Sequence, residues 1–111
     1  MSCLFCDFAS GAIPVDLLFS SDTVFAISDI NPQAPTHILV IPRLHVENAT
    51  ELAQSAPDVL ADLFSAAKKL VAENELSGYR IVFNTGQSAG QSVFHAHLHL
   101  LGGRPFAWPP G

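Results

Sequence analysis

Positive charge is scarce in this chain. Its 111 residues carry five Lys and Arg against ten Asp and Glu, a net charge of −5. Phosphate backbones are gripped by clustered cations, so polymeric nucleic acid is excluded as the natural partner. A triphosphate fits poorly for the same reason, whereas a single phosphate held by backbone N–H groups needs no such cluster. Long hydrophobic runs are missing too. No stretch reaches membrane-spanning length, and the first residues show no basic region followed by an apolar core. The expectation is a soluble, cytoplasmic chain with no membrane partner. Two cysteines exclude a disulfide framework. No internal repeat, low-complexity tract or linker interrupts the chain, so residues 1–111 read as one domain. Apolar residues are plentiful, at 49%, enough to bury a core.

A coarse reading gives an α+β layout. Residues 3–10 read as a short helix or turn closed by Gly11 and Pro14. Leu17–Phe19 and Val24–Ser28 read as strands joined by a Ser-Ser-Asp turn. Asn31 to Pro35 forms a loop, because proline fixes φ and lacks a donor. His37–Ile41 is a β-branched run ended by Pro42. One long helix follows, with Ser55 as its cap, Pro57 in the first turn, and Asp58 and Asp62 at the positive end of the dipole. Val59, Leu60, Leu63, Phe64, Ala67, Leu70 and Val71 make its apolar face, and Gly78 closes it. Tyr79–Asn84 and His95–Leu101 are the last strands. One helix against an antiparallel sheet results.

Three of the five histidines alternate in one apolar segment: His95, His97 and His99. On a strand, residues two apart share a face, so the three imidazoles would line one side about 7 Å apart along the chain. Ala96, Leu98 and Leu100 would line the other. Imidazole titrates near neutrality and can serve as nucleophile, proton donor or metal ligand. A lone strand histidine is usually a core residue; three in register point to chemistry. The loop before them, Gly86 to Ser92, is small, polar and glycine-containing. Taken alone it is a flexible hairpin loop. Beside the histidines it reads as a phosphate cradle, with Gly90 allowing close backbone approach and Gln91, Ser92 and Asn84 adding polar groups.

The segment His95 to Leu101 matches in full the His-φ-His-φ-His-φ-φ pattern (φ apolar) of the histidine triad (HIT) family. Asp29 to His37, Val40 to Pro42, Gly90 to Val93 and the closing Trp108-Pro109-Pro110-Gly111 resemble its nucleoside phosphoramidase branch. The resemblance implies a five-stranded antiparallel sheet with one long helix, joined in a homodimer as a ten-stranded sheet. It implies hydrolysis of P–N or related bonds at the α-phosphate of purine nucleoside phosphoramidates, the amidates of AMP or GMP. By resemblance, His97 is the nucleophile that forms a nucleotidyl-histidine intermediate. His99 donates to the phosphate or bridging atom, and Ser92 holds the leaving group and relays its proton. Gln91, Ser92 and the loop N–H groups, including those at Gly90 and Val93, stabilise phosphoryl charge. Asn84 contacts phosphate or leaving group. Asp29 accepts the ribose hydroxyls. Leu4, Phe5, Phe8, Phe19, Ile27 and Ile30 form the slot around the base, where a plain core role competes. His37 supports the catalytic histidines from behind, with an ordinary buried histidine as the competing reading.

Cys3 and Cys6 form a C-x-x-C pair, a departure from the animal members of that branch. The spacing suits a metal or a redox pair, or two free thiols near a terminus. Tetrahedral zinc needs two further ligands, and His45 and His95 are the candidates. Several bacterial HIT proteins, and the related hexose-1-phosphate uridylyltransferases, carry a similar arrangement. The resemblance thus implies a structural Zn²⁺ on Cys3, Cys6, His45 and His95, which makes His95 a ligand rather than a catalyst. Two other readings stand beside it. One is a zinc-dependent hydrolase with His95, His97 and His99 all holding catalytic metal. The other is a non-catalytic nucleotide-binding module. In the tail, Phe106 and Trp108 would expose apolar area unless docked. The tail either folds over its own core or, as the resemblance implies, crosses a two-fold axis and places Trp108 by the partner's site.

Overall fold

The computed structural model describes residues 2–111. Five antiparallel strands form its sheet: β1 (Phe19–Ser20), β2 (Val24–Ser28), β3 (Thr36–Pro42), β4 (Tyr79–Val82) and β5 (Leu98–Gly102), in the order β1-β2-β3-β5-β4. Helix α1 (Leu4–Ser10) covers one face. Helices α2 (Ala49–Ser55) and α3 (Pro57–Glu73) cover the other.

Strand β3 lies at the centre and is buried along nearly its whole length, because each of its faces has a cover. Ile38 and Val40 point towards Leu63, Ala66, Ala67 and Leu70 of α3, with Val24, Ala26, Leu98 and Leu100 from the neighbouring strands. Leu39 and Ile41 point the other way and join Phe25, Ile27 and Phe5. Alternation thus splits the apolar residues of the sheet into two cores.

The long helix begins differently from its sequence reading. Ser55 ends α2, and Ala56 separates α2 from α3 in a non-helical conformation (φ −149°, ψ 68°). The residue before a proline is held out of the helical region, so Ala56-Pro57 divides the segment. The missed helix α2 is capped by Asn48, whose side chain accepts from Glu51 N–H at 2.9 Å. At the other end α3 stops at Glu73, before Gly78: Asn74 caps it and Glu75 turns left-handed at φ 54°. Asp62 accepts a hydrogen bond from Thr23 Oγ1 at 2.7 Å. Phe64 lies at the margin of the apolar face and is 45% exposed.

Strand β5 starts only at Leu98, so His95, Ala96 and His97 precede it in a bent segment. The bend is tied by Ala96 N–H to Val46 O at 2.7 Å. Side-chain alternation persists through it. Ala96, Leu98 and Leu100 enter the helix-side core, and the histidine rings stay on the α1 side, where Phe5 meets both His95 and His97.

Candidate active site and metal cluster

The hydrogen bonds around the triad settle which nitrogen of each ring carries the proton. Gln33 N–H donates to His37 Nδ1 at 3.0 Å, so neutral His37 has its proton on Nε2. That nitrogen lies 2.9 Å from His99 Nδ1 and donates to it. His99 therefore carries its proton on Nε2, an atom buried without a partner. His97 Nδ1 lies 2.7 Å from the carbonyl of His95. A carbonyl only accepts, so Nδ1 holds the proton and Nε2 keeps its lone pair. His97 and His99 are adjacent, with ring centroids 4.9 Å apart rather than a full strand repeat. The site thus pairs a nucleophilic nitrogen with an N–H donor. Both rings favour the neutral form. Burial pushes His97 below its ordinary value; burial, then the neighbouring His97 and His37, bring His99 down to about 4.

The third triad histidine belongs to a different cluster. His95 is fully buried, and its Nε2–H donates to Pro42 O at 2.7 Å. Its Nδ1 lone pair faces Cys3 Sγ at 3.4 Å, Cys6 Sγ at 3.6 Å and His45 Nδ1 at 3.1 Å. Cys6 Sγ lies 3.3 Å from His45 Nδ1. A zinc tetrahedron with Zn–N near 2.0–2.1 Å and Zn–S near 2.3 Å has edges of about 3.3–3.8 Å; the sulfur–nitrogen distances fall in that range and the imidazole pair within about 0.2 Å of it, so this donor set fits. The cysteines flank the first turn of α1, the histidines flank the bend before β5 and the segment after β3, and the four could hold one metal ion. Among the described residues, no group of potential ligands joins His95, His97 and His99. The reading of the triad as a catalytic metal site is corrected on this geometry: Nδ1 of His97 is taken by a carbonyl and His95 faces the thiols.

A cleft of about 280 Å³ opens in front of His97 and His99. Leu4, Phe5, Phe8, Ile27, Asp29, Ile30, Ser92 and Val93 all line it. Val15, Ser28 and Leu39 line it as well and were missed. Leu39 was legible in principle, because β5 pairs it with His99. Asp29 stands at the edge, its Oδ1 accepting from Asn31 N–H at 2.8 Å and its Oδ2 3.4 Å from His37 Nε2.

Other expected residues lie elsewhere. Phe19 packs on the opposite face of the sheet, with Lys69 over its ring, because Phe19 pairs with Ala26 of the helix-side core. Gln91 is buried and its amide is spent: Oε1 accepts from Gly86 N–H, and Nε2 donates to Glu47 O and Val93 O. The N–H groups of Gly90 and Gln91 bond Gln87 O and Gly86 O. Gly90 takes the left-handed turn (φ 96°) that brings Ser92 to the cleft. Ser92 and Val93 are the residues of this loop that line the cleft, and their N–H groups have no partner among the described residues. Asn84 does not line the cleft; it stands against Gly90. Trp108 is 82% exposed and lies outside the cleft of its own chain.

A model of the HIT domain matches residues 10–106. The chain is 46% identical to an uncharacterised HIT-like protein of Synechococcus elongatus over 100 residues, 89% of this chain and 88% of that one. It is 46% identical to a 14 kDa zinc-binding protein of Zea mays over 103 residues, 89% of this chain and 80% of that one. A HIT family hydrolase from Legionella pneumophila superposes with a TM-score of 0.94 at 46% identity, covering 99% of this chain and 100% of that one. A histidine triad protein from Clostridium difficile does so at 0.89 and 34%, covering 96% and 95%. This chain belongs to the histidine triad family.

Proposed function

We propose that the chain is a nucleotide-binding hydrolase that cleaves P–N bonds at the α-phosphate of purine nucleoside phosphoramidates. The ordered tautomers carry this reading. His97, with its Nε2 lone pair free, and His99, with its Nε2–H unpartnered, both line one cleft that also holds an apolar slot and a carboxylate. The nucleoside base takes the slot of Leu4, Phe5, Phe8, Ile27 and Ile30, and Asp29 accepts the ribose hydroxyls. The α-phosphate lies against Ser92, Val93, His97 and His99.

His97 Nε2 forms a bond to phosphorus as the P–N bond breaks. The leaving nitrogen takes a proton from solvent, relayed through the Ser92 hydroxyl, and departs as an amine; the water that attacks in the second half returns that proton to solvent. The Ser92 and Val93 N–H groups and His99 Nε2–H stabilise the equatorial oxygens. Water then attacks phosphorus, the P–Nε2 bond breaks, and the nucleoside monophosphate leaves. His37 holds His99 in the donating tautomer. Zinc on Cys3, Cys6, His45 and His95 would supply a structural cross-link between α1 and the triad segment. Two chains would pair as a homodimer along the β4 edge and the exposed side of α3, sending Trp108 towards the partner's site. The uncovered Tyr79 and Phe64 and the outward Trp108 support that arrangement.

His97→Ala should lose at least about a thousandfold in turnover, the scale of covalent catalysis and orientation together, while still binding AMP. Rapid quench with labelled AMP amidate should trap a nucleotidyl group on His97 of the parent. Near-normal turnover in the variant would sink the mechanism. Saturable AMP binding with no turnover in the parent would mark a binding module.

A further inference from the structure

The nucleotide cleft does not end at the phosphate. A second groove, of about 630 Å³, continues from it and shares Leu4, Ser92 and Val93 as its near wall. Beyond that wall it runs over Phe94 and Asp7, with Cys3, Cys6 and His45 along one side. The reading of the cleft proposed above puts the nucleoside at the Asp29 end and the phosphorus at the Ser92 end. An in-line displacement puts the departing nitrogen opposite the attacking His97 Nε2. Whatever that nitrogen carries must leave the cleft past Ser92, and the groove lies there.

The groove has a definite chemistry. Phe94, two residues after Ser92, is 45% exposed and belongs to neither core. Asp7 is half-buried, and no lysine or arginine lines the groove. Among the described residues, no lysine, arginine or histidine pairs with the Asp7 carboxylate. A zinc ion held by two thiolates and two neutral imidazoles adds no net charge. The groove therefore offers an aromatic face and one unpaired negative charge.

We propose that this groove is a leaving-group subsite. Phe94 packs on the apolar body of the departing amine, and Asp7 selects amines with a second, cationic group over amines with a carboxylate. The proposal rests on the phosphoramidase reading.

The test compares four AMP amidates of the zinc-loaded full chain: the unsubstituted amide, and amides of benzylamine carrying a para hydrogen, aminomethyl or carboxylate group. The expected order of kcat/KM is aminomethyl, then hydrogen, then carboxylate, with about tenfold between the extremes, as for one favourable contact in a specificity pocket. Asp7→Asn should flatten this order and Asp7→Lys should invert it, an inversion that mere structural damage does not produce. Phe94→Ala should lower the benzylic substrates relative to the unsubstituted amide. Equal rates for aminomethyl and carboxylate substrates in the parent, or an order unmoved by both Asp7 variants, would overturn the subsite while cleavage of the unsubstituted amide leaves the phosphoramidase reading standing. No cleavage of any of the four would overturn both.

Discussion

In the mechanism proposed for this site, His97 can attack only as a neutral ring, since a protonated imidazole has no lone pair. His97 is depressed below its ordinary 6.5 chiefly by burial, and His99 to about 4. The acid limb of single-turnover kcat/KM should therefore fall below pH 6.5 and leave the rate flat from neutrality down to that limb. A midpoint at or above 6.5 would show that burial does not tune the ring. Stability has a matching sign. Between about 4 and 6.5 the unfolded chain binds a proton at this position that folded His99 refuses, so stability falls as pH drops through that window. A thermal melt series across it should show the decline. His37 acts through His99: its Nε2–H is what forces the His99 proton onto Nε2. His37→Ala should lower kcat by about ten- to a hundredfold, part of what a general acid contributes, with a smaller change in AMP affinity. Equal losses in both would indicate that His37 merely fills space.

Helix α1 carries Leu4, Phe5 and Phe8 of the cleft wall, yet it is only seven residues long. A helix of that length does not hold by itself in water. Two anchors fix it. Arg43 secures its C-terminal end, donating to Ala9 O at 3.0 Å and also to Ser21 O and Ser20 Oγ. The Cys3–Cys6–His45–His95 cluster secures the N-terminal end, and Phe5 between the cysteines rests edge-on against His97 with centroids 5.0 Å apart. Purified protein should contain about one zinc per chain. Chelation, or Cys3→Ser, should speed amide exchange across residues 4–10 and weaken AMP binding, while His97 can still be labelled. Exchange unchanged on metal loss would mean that Arg43 and packing suffice. Activity that tracks zinc at constant α1 protection would mean instead that the metal takes part in chemistry.

At the scale of the whole molecule, the tail is pinned to its own chain up to Phe106. That ring lies under two guanidiniums, Arg80 at 5.1 Å and Arg104 at 4.3 Å, and Arg80 also donates to Ala107 O at 3.0 Å. Arg104 donates twice to Gln33 O, in the loop after Asp29. The expectation that the tail docks is met for Phe106, whereas Trp108 points outward at 82% exposure. A lone indole left in water, beside an uncapped β4 edge, suits a two-fold partner. Light scattering should show a dimer at micromolar concentration. Removal of residues 106–111 should change the ratio of kcat/KM for small and bulky amidates more than it changes AMP affinity. A monomer, or an unchanged ratio, would place Trp108 outside any partner's site.

Much of this arrangement is legible in the order of the residues. Period-two alternation is a property of the backbone, so His97 and His99 on one face and Ala96, Leu98 and Leu100 on the other followed from spacing alone. The C-x-x-C pair was visible as a ligand pair because two thiols one turn apart share a helix end. The division at Ala56-Pro57 was also written in the chain, in the restriction that proline imposes on the residue before it, and was overlooked. Other features were decided only by tertiary structure. Phe19 and Ile27 look alike in sequence, yet strand register sends one to the helices and the other to the cleft. Gln91 looks like a free donor until Glu47 and Val93 fold against it and take both of its amide protons, while Gly86 donates to its oxygen. The proton positions depend on contacts between residues far apart in the chain, with Gln33 and His37 setting His99 across the β3–β5 pairing. Spacing says which side chains share a face. Only the folded backbone supplies the carbonyls and N–H groups that decide which nitrogen keeps its lone pair.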